Sequence, residues 1–397
     1  MRNKITIINF SAALVQEDAI EGESAGIRYY STQKAALIHY LISNFPNVYI
    51  DIVGLNKNFL FEVQYNKKCK FIKLPNRTTP IFSSILFTLS SFLYMSLTPK
   101  PTILYIYSSG SSLPYIGVLL YAKVYKRPIF LCIRNPPESA CSFEDLSVLK
   151  KIIVKLLDKI ILKYTDKIIH ISEKSKDLLK PYPGLYQKSI VMGSCPNTIF
   201  LESYQREKIE NSKITFAYWG HMDRTRDLDI LLKGFIKAKE LDDKFDAKFY
   251  LFGGGKDLER LKALVKELKI PYIVFNGYVG QEELCKFLQD ISVAVIPIPP
   301  KEIFQYSSPL KLAEAITLEL PMIASNIEPN QIVREHNLGI LCEHDVDSYA
   351  EAFLKFQKFS DPELNDFREN CKLVKYLYTP ENVFKEVRDA IAQEIQP

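Results

Sequence analysis

The sequence predicts an α/β protein built as two doubly wound domains, and three observations lead there. The chain has 397 residues, of which 47% are hydrophobic and 24% charged, an ordinary globular composition with enough length for two cores. Strand-length apolar runs alternate with helical spacing along it, the βαβα rhythm of parallel sheets. The rhythm breaks at a polar stretch, Leu201–Asn211, and then restarts. The expected boundaries are 1–200, 201–378 and a terminal helix over 379–397.

In the first half, Lys4–Phe10 reads as a buried strand, with Gly22 and Gly26 in the polar loop after it. Helical spacing over 27–44 leads to a strand at Val48–Val53. No G-x-G-x-x-G follows the first strand, so the dehydrogenase fingerprint is absent there. Residues 80–97 carry no charge, and such a run approaches the ~18–20 residues that span a bilayer. Its Ser and Thr content and the following Pro99-Lys100-Pro101 favour a packed core helix first, a membrane-docking face second and a span third. Strands are expected at Thr102–Tyr107, Pro128–Ile133, Lys167–Ile171 and Ser189–Met192. Between them lie helices at Leu113–Tyr125 and at 146–164, the latter basic through Lys150, Lys151, Lys155, Lys159 and Lys163.

The second half repeats the pattern. A strand at Lys213–Trp219 runs into the loop Gly220–Asp229 and a helix at Ile230–Glu240. Then come strand Lys248–Phe252, Gly253–Gly255, helix 256–268, strand 272–275, Gly277-Tyr278, helix 281–289 and strand 292–296. Ser307 and Ser308 precede Pro309, with apolar residues at Leu310, Leu312, Ala313, Ile316 and Leu320. This reads as a helix with Ser at the N-cap and Pro at the first helical position. Leu310, Lys311 and Leu312 would leave free N–H groups at the positive end of the helix dipole, an anion site. Glu314 sits about one turn further in, on the side of Leu310 and Lys311. Phosphate at the mouth and a hydroxyl on the carboxylate would suit a sugar nucleotide. The plain alternative is an amphipathic helix with a structural Glu. Strands at 322–325 and Gly339–Leu341, a helix at 346–358 and the terminal helix Thr379–Ile395 complete the pattern.

The net charge of +5 is unevenly spread: residues 1–200 hold 25 Lys+Arg against 13 Asp+Glu, and residues 201–397 hold 26 against 33. A first half at +12 points to an anionic partner such as a membrane surface or a phospholipid acceptor, or simply to a solvated basic face. Nucleic acid is disfavoured, because there is no zinc spacing, RNA-binding aromatic signature or long basic run. Seven scattered cysteines without a CxxC pair favour a reduced, cytoplasmic setting and no metal site. Ile5–Phe10 is too short for a signal-peptide core, and Glu17 and Asp18 follow it.

Two stretches carry a resemblance. Ser308-Pro309-Leu310-Lys311-Leu312 with Glu314 resembles the donor-site helix of family 4 glycosyltransferases, retaining enzymes of the GT-B fold, in its S-P-L-K-L-x-E variant. The first Glu of the family pair falls on Tyr306, and the Gly usual near the helix end falls on Glu319. Gly220–Asp229 resembles the family's G-R-L-x-x-x-K-G-x-D loop: Gly220 and Asp229 match, Arg226 stands for Lys, and His221 for Arg. Gly277-Tyr278-Val279 corresponds to the segment whose backbone reads the base, while Gly253–Gly255 corresponds to a structural turn. In the first half, Gly26 falls in the acceptor loop, and Arg134 and Asn135 end a strand near the sugar.

The resemblance implies two Rossmann-like domains facing a cleft, with the C-terminal helix returning to the first. It implies transfer of a sugar, of hexosyltransferase type and with retention, from a nucleotide-diphosphate sugar to a glycan or lipid-linked acceptor in surface polysaccharide or glycoconjugate biosynthesis. Catalysis would fall to Arg226, Glu314 and Arg134. The donor would meet Gly220, His221, Arg226, Gly277, Tyr278, Val279, Ser308, Pro309, Leu310, Lys311, Leu312 and Glu314, and the acceptor Gly26 and Asn135. No cofactor or metal is implied, since cationic side chains and the helix dipole take that part. The expected setting is cytoplasmic, peripheral on the inner face of the membrane. The rival readings are a sugar-nucleotide epimerase on the same fold and a non-catalytic binding subunit.

Overall fold

The structure is a computed structural model that describes residues 3–8, 32–56, 61–66, 69–75, 80–108, 113–133, 148–196, 213–267 and 270–395. Gly26, Arg134, Asn135 and the polar joint at 201–211 lie outside the described residues. Two compact units emerge. The first comprises 1–193, 306–308 and 380–397; the second comprises 194–305 and 309–379.

The first unit runs β1 (Asn3–Ile8), α1 (Thr32–Asn44), β2 (Val48–Asn56), β3 (Phe61–Asn66), β4 (Cys69–Pro75), α2 (Pro80–Leu97), β5 (Ile103–Ser108), α3 (Ile116–Tyr125), β6 (Ile129–Ile133), α4 (Val148–Tyr164), β7 (Lys167–His170) and β8 (Ser189–Val191). They form an eight-stranded sheet in the order β3-β4-β2-β1-β5-β6-β7-β8, parallel except for β3. The β3–β4 pair is an addition to the expected pattern. Its strands mix polar with apolar residues, Glu62 and Gln64 in β3 and Lys70 and Lys73 in β4, and half-polar strands lack the continuous apolar run of a buried parallel strand. The central strands are that run: Ile103–Tyr107 and Ile129–Ile133 are buried throughout. Inside this unit Lys4 pairs with Asp51 at 2.5 Å, and Tyr94 donates to the same carboxylate at 2.9 Å.

The second unit runs β9 (Thr215–Trp219), α5 (Leu228–Leu241), β10 (Lys248–Phe252), α6 (Leu258–Glu267), β11 (Ile273–Gly277), α7 (Gln281–Gln289), β12 (Val293–Ile296), α8 (Leu310–Thr317), β13 (Met322–Ser325), β14 (Gly339–Cys342), α9 (Val346–Lys358) and α10 (Asp361–Val374). Its six strands are all parallel, in the order β11-β10-β9-β12-β13-β14. That is the Rossmann order, whose direction reverses between the first and fourth strands of the unit, β9 and β12. One face of the sheet packs Phe216 edge-on against Phe235 and Phe353. Gly234 of α5 has no Cβ because Tyr349 of α9 would stand 2.5 Å from it.

Helix α10 was not expected. It begins with a capping box, Ser360 with Glu363. The single terminal helix expected from Thr379 is instead a turn at Pro380–Val383 followed by α11 (Lys385–Ile395). This segment packs within the first unit: the rings of Phe384 and Tyr40 lie 5.4 Å apart, and the N–H of Val191 donates to Glu386 at 3.0 Å.

A candidate donor site at the switch point of the second sheet

The site grows from the carboxyl end of β9. Trp219 closes that strand, and its indole N–H donates to Glu314 Oε2 at 2.7 Å. Glu314 lies on α8, behind β12, and is only 7% exposed. The next residue, Gly220, has φ +129°, and a Cβ there would stand 2.5 Å from Cε and Nζ of Lys311. Glycine thus supplies both the left-handed backbone and the room for the lysine chain. Lys311 Nζ sits 5.2 Å from the centre of the Tyr218 ring, whose hydroxyl donates to the carbonyl of His221 at 2.5 Å.

Three loops interlock around this point. Gly220 N–H donates to Phe252 O, Met222 N–H to Gly254 O, and Gly253 N–H to Gly277 O. A Cβ on Gly253 would fall 2.1 Å from the carbonyl of Gly220. A Cβ on Gly255 would likewise fall 2.5 Å from the carbonyl of Met222, so these two glycines serve packing, while Gly254 has open space around it. Beyond them, Arg226 ends a single 3₁₀ turn and stacks its guanidinium 4.7 Å from the centre of Phe304. Lys301 bonds Asp227 at 2.6 Å and Thr225 O at 3.0 Å, clamping the loop to the segment before α8. Among the described residues no carboxylate pairs with Arg226, which leaves its charge for an anion. Asp229, a motif match, is committed to Arg260 at 3.1 Å and Lys233 at 3.4 Å.

The electrostatics follow from burial. It pushes the Glu314 carboxyl up, against the opposing pull of the Trp219 hydrogen bond and the Lys311 charge. Burial, and then the Arg226 charge, push the Lys311 ammonium down. Two cations and one carboxylate thus share a partly desolvated corner, where a phosphate would relieve the repulsion between the cations.

The start of α8 differs from the expected cap. Pro309 is itself the N-cap, at φ −70° and ψ 113°, with no side-chain cap, in place of Ser308. Proline fixes φ and needs no N–H partner, so the turn forms without the hydroxyl. The first helical bond is Ala313 N–H to Pro309 O, at 3.3 Å. The N–H groups of Leu310, Lys311 and Leu312 therefore have no partner within the helix.

Leu312 itself is buried in the core beside Trp219 and Ile296, so only its backbone can face a ligand. Tyr278 is 67% exposed and follows Gly277, whose φ is +69°, while Val279 packs on the core. His221 is exposed. Ser308 groups with the first unit, as does Tyr306, whose carbonyl accepts the Ser172 hydroxyl at 2.8 Å. Sequence reasoning missed Trp219, Tyr218 and Phe304. The signal was present for Trp219, the chain's single tryptophan, at a strand's carboxyl end next to a matched glycine.

The fold and this site define the class: a GT-B protein with two Rossmann-like units. Residues 213–358, within the second unit, match the family described as Glycosyl transferases group 1. Among solved structures, sucrose-phosphate synthase from Thermosynechococcus elongatus is similar at TM-score 0.71 and 16% identity, over 99% of each chain. The lipopolysaccharide outer core galactosyltransferase WaaB is similar at 0.62 and 14%, over 99% of this chain and 100% of that one. Alr3699/HepE from Anabaena, in complex with UDP-glucose, is similar at 0.67 and 10%, over 98% and 99%. No curated protein sequence matches the chain.

Proposed function

We propose that the protein is a retaining glycosyltransferase of family 4 that moves a sugar from a nucleotide-diphosphate donor to a hydroxyl of a glycan or lipid-linked acceptor, in surface polysaccharide or glycoconjugate biosynthesis. The observation that carries it is the Trp219–Glu314–Lys311 corner, set beside Arg226 and the open N–H groups of α8 at the sheet's switch point. Ligands of open α/β sheets bind outside the strands' carboxyl ends at that point.

In this reading Glu314 accepts the ribose hydroxyls, held in place by Trp219. Lys311, Arg226 and the N–H groups of Leu310 and Leu312 take the diphosphate. As the glycosidic bond to the diphosphate breaks, negative charge grows on the leaving oxygens, and these preplaced cations and dipoles stabilise it. The departing electron pair stays on the diphosphate, and the attacking acceptor hydroxyl passes its proton to a leaving diphosphate oxygen. Gly277, Tyr278 and Val279 would border the base, and Pro309 would set the helix mouth. No metal or cofactor is needed where cations already serve the leaving group. Among the described residues no cluster of three or more His, Cys, Asp or Glu is placed to hold a metal ion.

Thermal shifts with UDP-, GDP- and ADP-sugars test the donor, with UDP-glucose first, since the Anabaena protein binds it. A stabilising shift that persists in EDTA and is lost in Glu314→Gln supports the reading. No shift with any nucleotide sugar overturns it. Proton NMR of the product, read for an α or β anomeric coupling against that of the donor, tests retention.

A further inference from the structure

We propose that α2, α3 and α4 of the first unit form a docking surface for an anionic phospholipid bilayer. The three helices make the β4–β5, β5–β6 and β6–β7 crossovers, all in one direction along a parallel sheet. Right-handed crossovers place them side by side on one face. Their contacts agree. Gly117 of α3 touches α2 so closely that a Cβ would stand 2.0 Å from the carbonyl of Thr88. The rings of Phe92 and Tyr121 meet edge-on at 6.1 Å, and Lys123 of α3 reaches over the Tyr164 ring of α4 at 5.4 Å.

The outer side of this layer is apolar in a regular way. On α2, Ile85, Leu89, Leu93 and Leu97 repeat every fourth residue and are exposed, Leu89 at 64% and Leu97 at 77%. Leu120 and Val124 do the same on α3. On α4 the stripe is Ile152, Leu156, Ile160 and Tyr164. Side chains four apart share a helix face, so each stripe points one way, away from the core residues Phe87, Val118 and Ile161 of the same helices. Ten large apolar side chains exposed on three adjacent helices exceed the scatter expected of a soluble surface.

Charge selects the occupant. Helix α2 has no charged residue, and Lys123 is the one charge of α3. On α4, Lys155, Lys159 and Lys163 are exposed and each precedes a stripe residue, while Asp158 is the helix's single acid. Lysines beside an apolar stripe can lay their stems on hydrocarbon and keep the ammonium among headgroups. A second copy of this chain would set lysine edge against lysine edge, whereas anionic headgroups complement both features. No described helix is long and apolar enough to cross a membrane, so the contact is one of surface.

Flotation of the full chain with vesicles of phosphatidylcholine, with and without 30% phosphatidylglycerol, is the test, with circular dichroism as the folding control. Binding should require phosphatidylglycerol and fall in 0.5 M NaCl. Lys155→Gln/Lys159→Gln/Lys163→Gln should lose about a hundredfold in partitioning, taking the usual contribution of a lysine near an anionic surface. Leu89→Ser/Leu93→Ser/Leu97→Ser should also release the protein. A Leu89→Cys variant carrying an environment-sensitive dye should shift to the blue on vesicles, which reads the contact without disturbing the helix. The proposal is overturned by no flotation, by equal flotation on uncharged vesicles, by an unshifted dye, or by a lipid-free dimer in light scattering that the leucine variant abolishes. The donor-site reading does not depend on the outcome.

Discussion

Glu314 and Arg226 separate function from structure because their surroundings are opposite. Glu314 is buried, and its carboxyl binds a proton more tightly in the folded chain than in the unfolded one. Its contribution to stability is therefore lost as pH rises above the ordinary carboxylate value of about 4.3. Glu314→Gln removes that loss, so at pH 8 the variant should melt at or above the wild-type temperature while binding its donor about tenfold to hundredfold more weakly, the worth of a hydrogen bond to a charged group. Calorimetry of both properties checks this, and a fall in both would make Glu314 a structural residue. Arg226 stacks on Phe304 at the surface, a contact worth about 0.5–1 kcal/mol. Arg226→Ala should lower kcat by about 10²–10³ if it stabilises the leaving diphosphate, with little change in urea midpoint. Gly220, Arg226, Lys311 and Glu314 were legible as types in a motif. Trp219 was legible only as a strand residue, because a hydrogen bond between positions 95 apart has no local pattern.

At the scale of elements, close approach and backbone sign decide what sequence spacing leaves open. Gly117 is the contact point of α3 with α2. Gly117→Ala removes a flexible residue but drives a methyl into the Thr88 carbonyl, so it should destabilise by about 1–3 kcal/mol, the usual cost of overpacking. Urea denaturation followed by circular dichroism measures it; a stabilised variant would deny the close contact. Glu319, where glycine was expected by resemblance, adopts φ +53° and pairs with Lys375 at 2.6 Å. The turn thus forms with a left-handed glutamate. Glu319→Gly should be more stable than Glu319→Ala by roughly 1 kcal/mol, because both lose the ion pair but only glycine relieves the backbone. The β3–β4 hairpin and α10 escaped sequence reading for different reasons. The hairpin's strands are half polar, and α10 follows α9 after only two residues, so its 3.6-residue period merges with that of its neighbour.

At the scale of the molecule, the cysteines report on the packing of both units. Five cysteines, 132, 195, 285, 342 and 371, are buried and unbridged. Burial pushes the thiols of Cys285 and Cys342 up, to about 11 and about 12, the neighbouring Asp345 and Glu343 adding to the latter. A thiol-specific dye at pH 8 should label no more than two of the seven cysteines until the protein unfolds; rapid labelling of a third would place one of the five at the surface. The sequence by itself determined the α/β class, the repetition of the βαβ pattern in two halves and the position of the helix start after Pro309. Those properties are periodic or local: alternation of apolar runs, a proline before an amphipathic turn, a glycine after a strand. Only the tertiary structure decided the strand orders, the indole that holds Glu314 and the outward direction of the leucines on α2. Each of these depends on which distant segments share a surface, and an uncharged helix has the same composition whether its leucines meet a core or face outward.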